Sequence, residues 1–165
     1  MKCLIGYVTK TGTTEEIAQK IGKILRDKGI EVDVAAIGTI SDLSGYDRLV
    51  LGSPVNGMKV LPEFKTFLSS KVAGSGIPVD IFIISYLFEQ GRKGWRKAIQ
   101  KEKERVRSLV NPTSIEIFAG KLPGQLPAFA RLIFGTPDDL PLDLREWGKI
   151  EAWAKRLAEA MAPKA

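Results

Sequence analysis

Four threonines and a glycine crowd one short stretch, Thr9-Lys10-Thr11-Gly12-Thr13-Thr14, between an apolar run and a segment of helical period. Hydroxyl donors and a glycine at a helix N-terminus are what a phosphate needs. Free backbone N–H groups point outward there, the helix dipole favours an anion, and glycine allows close approach. The stretch lacks the Lys-Ser/Thr ending of a nucleoside triphosphate loop and the spaced glycines of a dinucleotide fingerprint. A plainer reading has Thr13 capping the helix, with Glu16 completing a capping box. That reading accounts for Thr13 and Glu16 but gives Thr9, Thr11 and Thr14 no task.

Composition narrows the remaining chemistry. The 165 residues include no histidine, which excludes a histidine base and histidine ligation of zinc or haem. The single cysteine, Cys3, lies in the first apolar run, where it reads as a small buried hydrophobe and can form no internal disulfide. Any chemistry must then come from a bound cofactor or from carboxylates, hydroxyls and lysines, and no metal site is expected. Net charge is +6, from 25 Lys and Arg against 19 Asp and Glu, and the excess gathers between Arg92 and Arg107. That stretch reads as a solvated helix face, or as a docking surface for an acidic partner or an anionic membrane. It lacks interleaved aromatics and a nucleic-acid-binding motif, so nucleic acid is not expected as a partner.

The elements that must position the threonine loop alternate in period. Apolar runs at Lys2–Val8, Glu31–Ile37, Arg48–Gly52, Val79–Ser85 and Ser114–Ala119 read as strands. Helical spacing is expected over Thr14–Lys28, closed by Gly29, and again from Pro62, where a missing N–H costs nothing. Further helices are expected over Trp95–Leu109, with Glu102 on its otherwise apolar stripe, and in a final segment carrying Trp147, Ile150, Trp153, Leu157 and Met161. Unbroken apolar strands between helices imply a parallel sheet covered on both faces. The length suits one domain over residues 1–165. The first apolar run is cut well short of the roughly 18 residues a membrane span requires, so a cytoplasmic protein is expected.

Thr9-x-Thr11-Gly12-x-Thr14 after the first strand resembles the FMN phosphate loop of flavodoxins, and Gly52-Ser53-Pro54 after the third strand falls in the same family's pattern. The resemblance covers nearly the whole chain. It implies a flavodoxin-like three-layer α/β/α sandwich around a five-stranded parallel sheet of order 2-1-3-4-5, with FMN as cofactor. Ligands in such sheets bind beyond the carboxyl ends of the strands, where the order reverses. That rule adds Ser53, Pro54, Val55, Asn56 and Gly57 from the third-strand loop, and Tyr86, Phe88 and Gly91 from the fourth, to the threonine loop. Asn56-Gly57 is a strong turn signal, because both residues tolerate positive φ. By resemblance, the Asn56–Gly57–Met58 segment would turn a carbonyl toward the flavin N5 when the ring takes up a proton. Tyr86 and Phe88 are the aromatics available to stack on the ring, or else pack as rim residues. The third-strand loop offers none.

Gly120–Arg145, between the fifth strand and the last helix, is longer than the usual connection of about 2–6 residues. Its apolar part, 126–134, reads as a cover for the sheet edge or core. The alternatives are a homodimer contact, a substrate lid, or an interfacial helix that makes the protein peripheral to the inner face of the membrane. The insertion and the final tryptophan-bearing helix are also similar to flavodoxin-type protoporphyrinogen oxidases that use menaquinone. The expected function is therefore FMN-dependent redox chemistry, as an electron-transport carrier or a small oxidoreductase. Its partner would be a redox protein or a quinone- or porphyrin-type substrate. A non-redox module binding another phosphate ligand is the alternative from a different class.

Overall fold

Alternation along the strands sets the layers. In β1 (Lys2–Tyr7), Cys3, Ile5 and Tyr7 join one apolar cluster, while Leu4 joins another. In β5 (Val79–Ile84), Phe82 and Ile84 go to the first cluster, and Ile81 and Ile83 to the second. Both faces of the sheet are therefore buried, which requires helices on each. The first face is covered by α1 (Thr13–Asp27) and α5 (Trp147–Met161), through Ile17, Ile21, Leu25, Trp153 and Leu157. The second is covered by α2 (Pro62–Phe67) and α3 (Lys93–Val110), through Phe64, Phe67 and Val106. These elements come from a computed structural model, which describes residues 1–162.

The remaining strands are β2 (Glu31–Ala36), β3 (Arg48–Asn56), β4 (Lys59–Val60) and β6 (Ser114–Phe118). Neighbours run β2-β1-β3-β5-β6 and are parallel throughout, and β4 pairs antiparallel with β3. Counting the parallel strands alone, this is the expected 2-1-3-4-5 order. The sheet reverses direction of growth between β1 and β3, which puts the loops after these strands at one crevice.

Two sequence expectations need correction. The third strand does not stop at Gly52 but continues through Asn56, because Val55 and Asn56 pair with Val60 and Lys59. The turn that closes this hairpin is Gly57-Met58, at φ 56° and 64°, rather than Asn56-Gly57. Two successive positive φ values match the right-handed twist of a hairpin, and Asn56 is spent on the ladder. Gly52 itself is required by packing: a Cβ there would lie 2.0 Å from Cζ of Phe82.

At the amino ends of the strands, away from the crevice, a buried polar chain ties three strands to α5. Arg48 Nε meets Asp80 at 2.7 Å, Ser114 donates to the same carboxylate at 2.7 Å, and the Trp153 indole donates to Ser114 Oγ at 3.2 Å. Cys3 is fully buried nearby, and burial pushes its thiol up to about 12, so it stays a neutral hydrophobe.

Candidate functional site

The threonine loop is shaped by its glycine. Val8 N–H still bonds Gly52 O at 3.0 Å, holding the chain along β3 as it leaves the sheet. Gly12 then takes φ 87°, and its N–H donates to Thr9 Oγ1 at 2.9 Å. Gly12, not Thr13, is the N-cap of α1, so the capping box of the plainer reading does not form. Its carbonyl accepts the first helical bond, from Glu16 N–H at 3.0 Å. The N–H groups of the first turn therefore open outward without intrahelical partners.

Thr14 Oγ1 sits at this helix end, fully buried and without a hydrogen-bond partner. Leaving a buried hydroxyl unpaired costs about 1–3 kcal/mol. Such a group calls for an explanation, and a ligand oxygen at the helix end would supply one. Thr11 and Thr13 hydroxyls lie 3.4 Å apart, and a Cβ at Gly12 would meet nothing within 4 Å. A cavity of about 240 Å³ opens here, lined by Thr9, Lys10, Thr11, Thr13 and Thr14, by Pro54, Val55 and Asn56, and by Tyr86 and Lys121. Two lysines and no carboxylate line it, so its electrostatics favour an anion.

The other expected residues divide. Gly57 lines a second, adjoining cavity of about 410 Å³. Ser53 is fully buried, and its Oγ accepts Leu61 N–H at 3.2 Å, so its side chain braces the hairpin. Phe88 lies apart, in an open depression with Lys93, Arg96 and Lys97. Gly91 ends the Tyr86 loop, its N–H on Leu87 O at 2.8 Å, and lines neither cavity. Tyr86 faces both cavities, and its hydroxyl donates to Pro141 O at 2.6 Å. Partial burial raises the pKa of that hydroxyl above its ordinary 10.0, so it remains a donor.

Sequence reasoning missed Gly120, Lys121, Leu122 and Pro123, which wall the first cavity directly after β6. The rule that ligands sit at the carboxyl ends of strands would have included them. The long insertion is pinned beside the threonine loop. Thr13 Oγ1 donates to Lys121 O at 3.4 Å, Leu122 N–H to Leu142 O at 2.8 Å, and Leu144 N–H to Gly120 O at 3.1 Å. Arg145 binds both Asp143 and Glu16, and lies 4.7 Å over the Trp147 ring. Glu16, which the plainer reading gave to the α1 cap, is thus taken up by Arg145.

A model of the flavodoxin domain matches residues 4–137, including the threonine loop, the hairpin and the Tyr86 loop. The chain belongs to the flavodoxin domain family. Its fold is shared with a flavodoxin of Streptococcus pneumoniae TIGR4, at TM-score 0.64 and 21% identity over 97% of this chain and 99% of that one. An archaeal flavodoxin superposes at TM-score 0.57 and 19% identity, over 98% and 96%. Protoporphyrinogen IX dehydrogenase [quinone] of Escherichia coli strain K12 is 39% identical over 70 residues, 41% of this chain. The match spans 39% of that relative's length.

FMN is the cofactor of this flavodoxin domain, and the residues present fit it. An orphaned hydroxyl, an outward-facing helix N-terminus and two lysines suit a 5′-phosphate. Tyr86 and the apolar Val55 and Leu122 line the same cavity and suit a flat ring. Among the described residues no cluster of acidic or sulfur side chains could hold a metal.

Proposed function

We propose that this flavodoxin domain is an FMN-dependent oxidoreductase, holding the phosphate on Thr9, Lys10, Thr11, Gly12, Thr13 and Thr14. Bound FMN supplies the electron-transfer chemistry. The chain's own residues anchor the phosphate, orient the ring between Tyr86 and the Pro54–Gly57 hairpin, and exclude water. Ser53 supports that hairpin from behind, and Phe88 and Gly91 shape the outer loop. The observation that carries the phosphate assignment is the buried, unpartnered Thr14 hydroxyl at the α1 N-terminus.

The test is FMN retention after dialysis, followed by visible absorption, in wild type and in the Thr11→Ala, Thr14→Ala double variant. Wild type is expected to stay yellow, and the double variant to lose at least tenfold in affinity, about 1.4 kcal/mol. A double variant that holds FMN as tightly as wild type would remove the phosphate assignment.

A second reading narrows the substrate to a porphyrinogen donor and a quinone acceptor. It is favoured by the 39% identical segment shared with the E. coli dehydrogenase. Such an acceptor lives in a bilayer, and the insertion offers a contact. On α4 (Ala128–Phe134), Phe129, Leu132 and Ile133 are 68%, 75% and 54% exposed. Exposed Arg92 and Lys93 begin α3 beside them, with Arg92 donating to the Leu132 and Ile133 carbonyls. No helix among the described residues is long and apolar enough to cross a membrane, so the contact would be peripheral. Co-sedimentation with vesicles containing anionic lipid, lost in Leu132→Ser, Ile133→Ser, is the expected outcome.

A further inference from the structure

We infer that the outer face of α3 is a docking surface for a protein partner that presents a carboxylate-rich segment. Lys93, Arg96, Lys97 and Lys101 are all exposed on this helix, on the side opposite the buried Ile99 and Val106. Lys93, Lys97 and Lys101 follow one another at i,i+4 spacing, and the ends of the stripe are about 12 Å apart. Arg105 and Arg107 pair with Glu102 and Glu104, whereas among the described residues no carboxylate pairs with the other four cations. Glu89, which lies beside them, is engaged by Lys149 at 3.0 Å. The inference stands apart from the FMN reading, since none of the four cations lines the phosphate cavity.

This arrangement works against the helix that carries it. Like charges at i,i+4 repel, and cations in a first turn face the positive end of the helix dipole. The same chain makes the favourable choice in α1, whose first turn holds Glu15 and Glu16. The first turn of α3 has no acidic residue and opens on Lys93. A surface that sets local electrostatics against stability is where function is expected. An anionic partner relieves both conflicts at once.

Shape decides which anion fits. Phe88 and Glu89 of the Tyr86 loop stand with Lys93, Arg96, Lys97 and Gln100 around an open depression of about 750 Å³. A planar bilayer does not fill a concavity, whereas side chains of a partner protein enter it. Half-buried Phe88 adds an apolar contact, so the fitting segment carries an apolar residue among its carboxylates. Trp95 and Lys97 are two residues apart and therefore point to nearly opposite sides of α3. Trp95 meets Phe134 with ring centroids 4.9 Å apart, which puts that contact with α4 on the side away from Lys97. A membrane contact through α4 thus leaves the basic stripe unexplained.

The probe is a fluorescently labelled, Glu-rich synthetic peptide carrying one phenylalanine, titrated with the full chain and followed by anisotropy. Wild type is expected to bind it, more weakly as salt rises and the screening length shrinks from about 30 Å to about 8 Å. The pair Lys93→Glu, Lys97→Glu should weaken binding about tenfold or more. The pair Lys28→Glu, Lys155→Glu makes the same change in net charge at exposed residues off α3, and should leave binding within about twofold. Lys97→Glu alone should raise the unfolding temperature, because it replaces repulsion from Lys93 and Lys101 by attraction, while it weakens the peptide. Equal losses in the two charge-reversed pairs would overturn the inference, by showing attraction to net charge alone. A wild-type chain that ignores the peptide would overturn it too, as would a lower unfolding temperature in Lys97→Glu. Anionic vesicles bound through Lys93 and Lys97, with no peptide bound, would replace it by a membrane face.

Discussion

Glu102 Oε1 accepts the backbone N–H of Val60 at 3.1 Å, so a fully buried carboxylate on α3 holds the short strand that pairs with Val55. Lys65 Nζ approaches the same oxygen at 2.6 Å. Removing the carboxylate leaves the Val60 N–H unpaired in the interior, while Lys65 is partly exposed and can turn to water. Glu102→Ala is expected to cost about 2–3 kcal/mol in urea unfolding. Glu102→Gln keeps an acceptor for Val60 and should cost less, about 1–2 kcal/mol. Amide exchange at Val60 should accelerate in the alanine variant more than in the glutamine variant. Equal exchange in the two would deny Glu102 its hold on the hairpin.

Thr14 makes a prediction with two opposite signs. Its hydroxyl is buried and unpartnered in the ligand-free protein, so Thr14→Val should stabilise that form by about 1 kcal/mol. The same change should weaken FMN binding about tenfold, because a phosphate oxygen loses its donor. Thermal unfolding without FMN, beside fluorescence titration with it, separates the two effects. A variant destabilised in both states would mean that Thr14 is ordinary core.

Gly52 and Phe82 are neighbours in the β3–β5 register, and the ring occupies the space of the missing Cβ. Gly52→Ala is expected to cost about 1–3 kcal/mol through overpacking. Adding Phe82→Leu should restore part of that loss, a coupling that a double-mutant cycle measures directly. Additive losses would place the strain elsewhere.

Stability should fall in acid through two carboxylates. Burial works to raise Glu102, but Lys65, the Val60 N–H and Arg105 together hold its pKa below the ordinary 4.5. Arg145 holds Asp143 below its ordinary 3.8. A depressed folded-state value contributes stability above the unfolded value, and that contribution is lost as pH falls through the folded one. Urea midpoints should therefore be steady near neutrality and drop below about pH 4.5. Asp143→Asn should flatten part of that drop, since Asp143 is partly exposed and contributes modestly.

The residue order alone indicated a parallel sheet covered on both faces and a threonine loop opening the first helix. Apolar runs of strand length and amphipathic segments of helix length leave few ways to bury both sheet faces. Four threonines around Gly12 state their chemistry locally. Tertiary structure decided what depends on distant partners. Glu16 looks like half of a capping box until Arg145 arrives from 129 residues away. Asn56 looks like a turn residue until Lys59 pairs with it and moves the positive φ values to Gly57 and Met58. Ser53 looks like a ligand donor until its hydroxyl donates to Pro54 O and accepts Leu61 N–H. The Trp95 and Phe134 rings meet, with Arg92 N–H on Phe134 O, although their elements share no local signal. Local spacing encodes periodicity and backbone preference, whereas the partner of a polar or aromatic side chain is set by which surfaces the folded chain brings together.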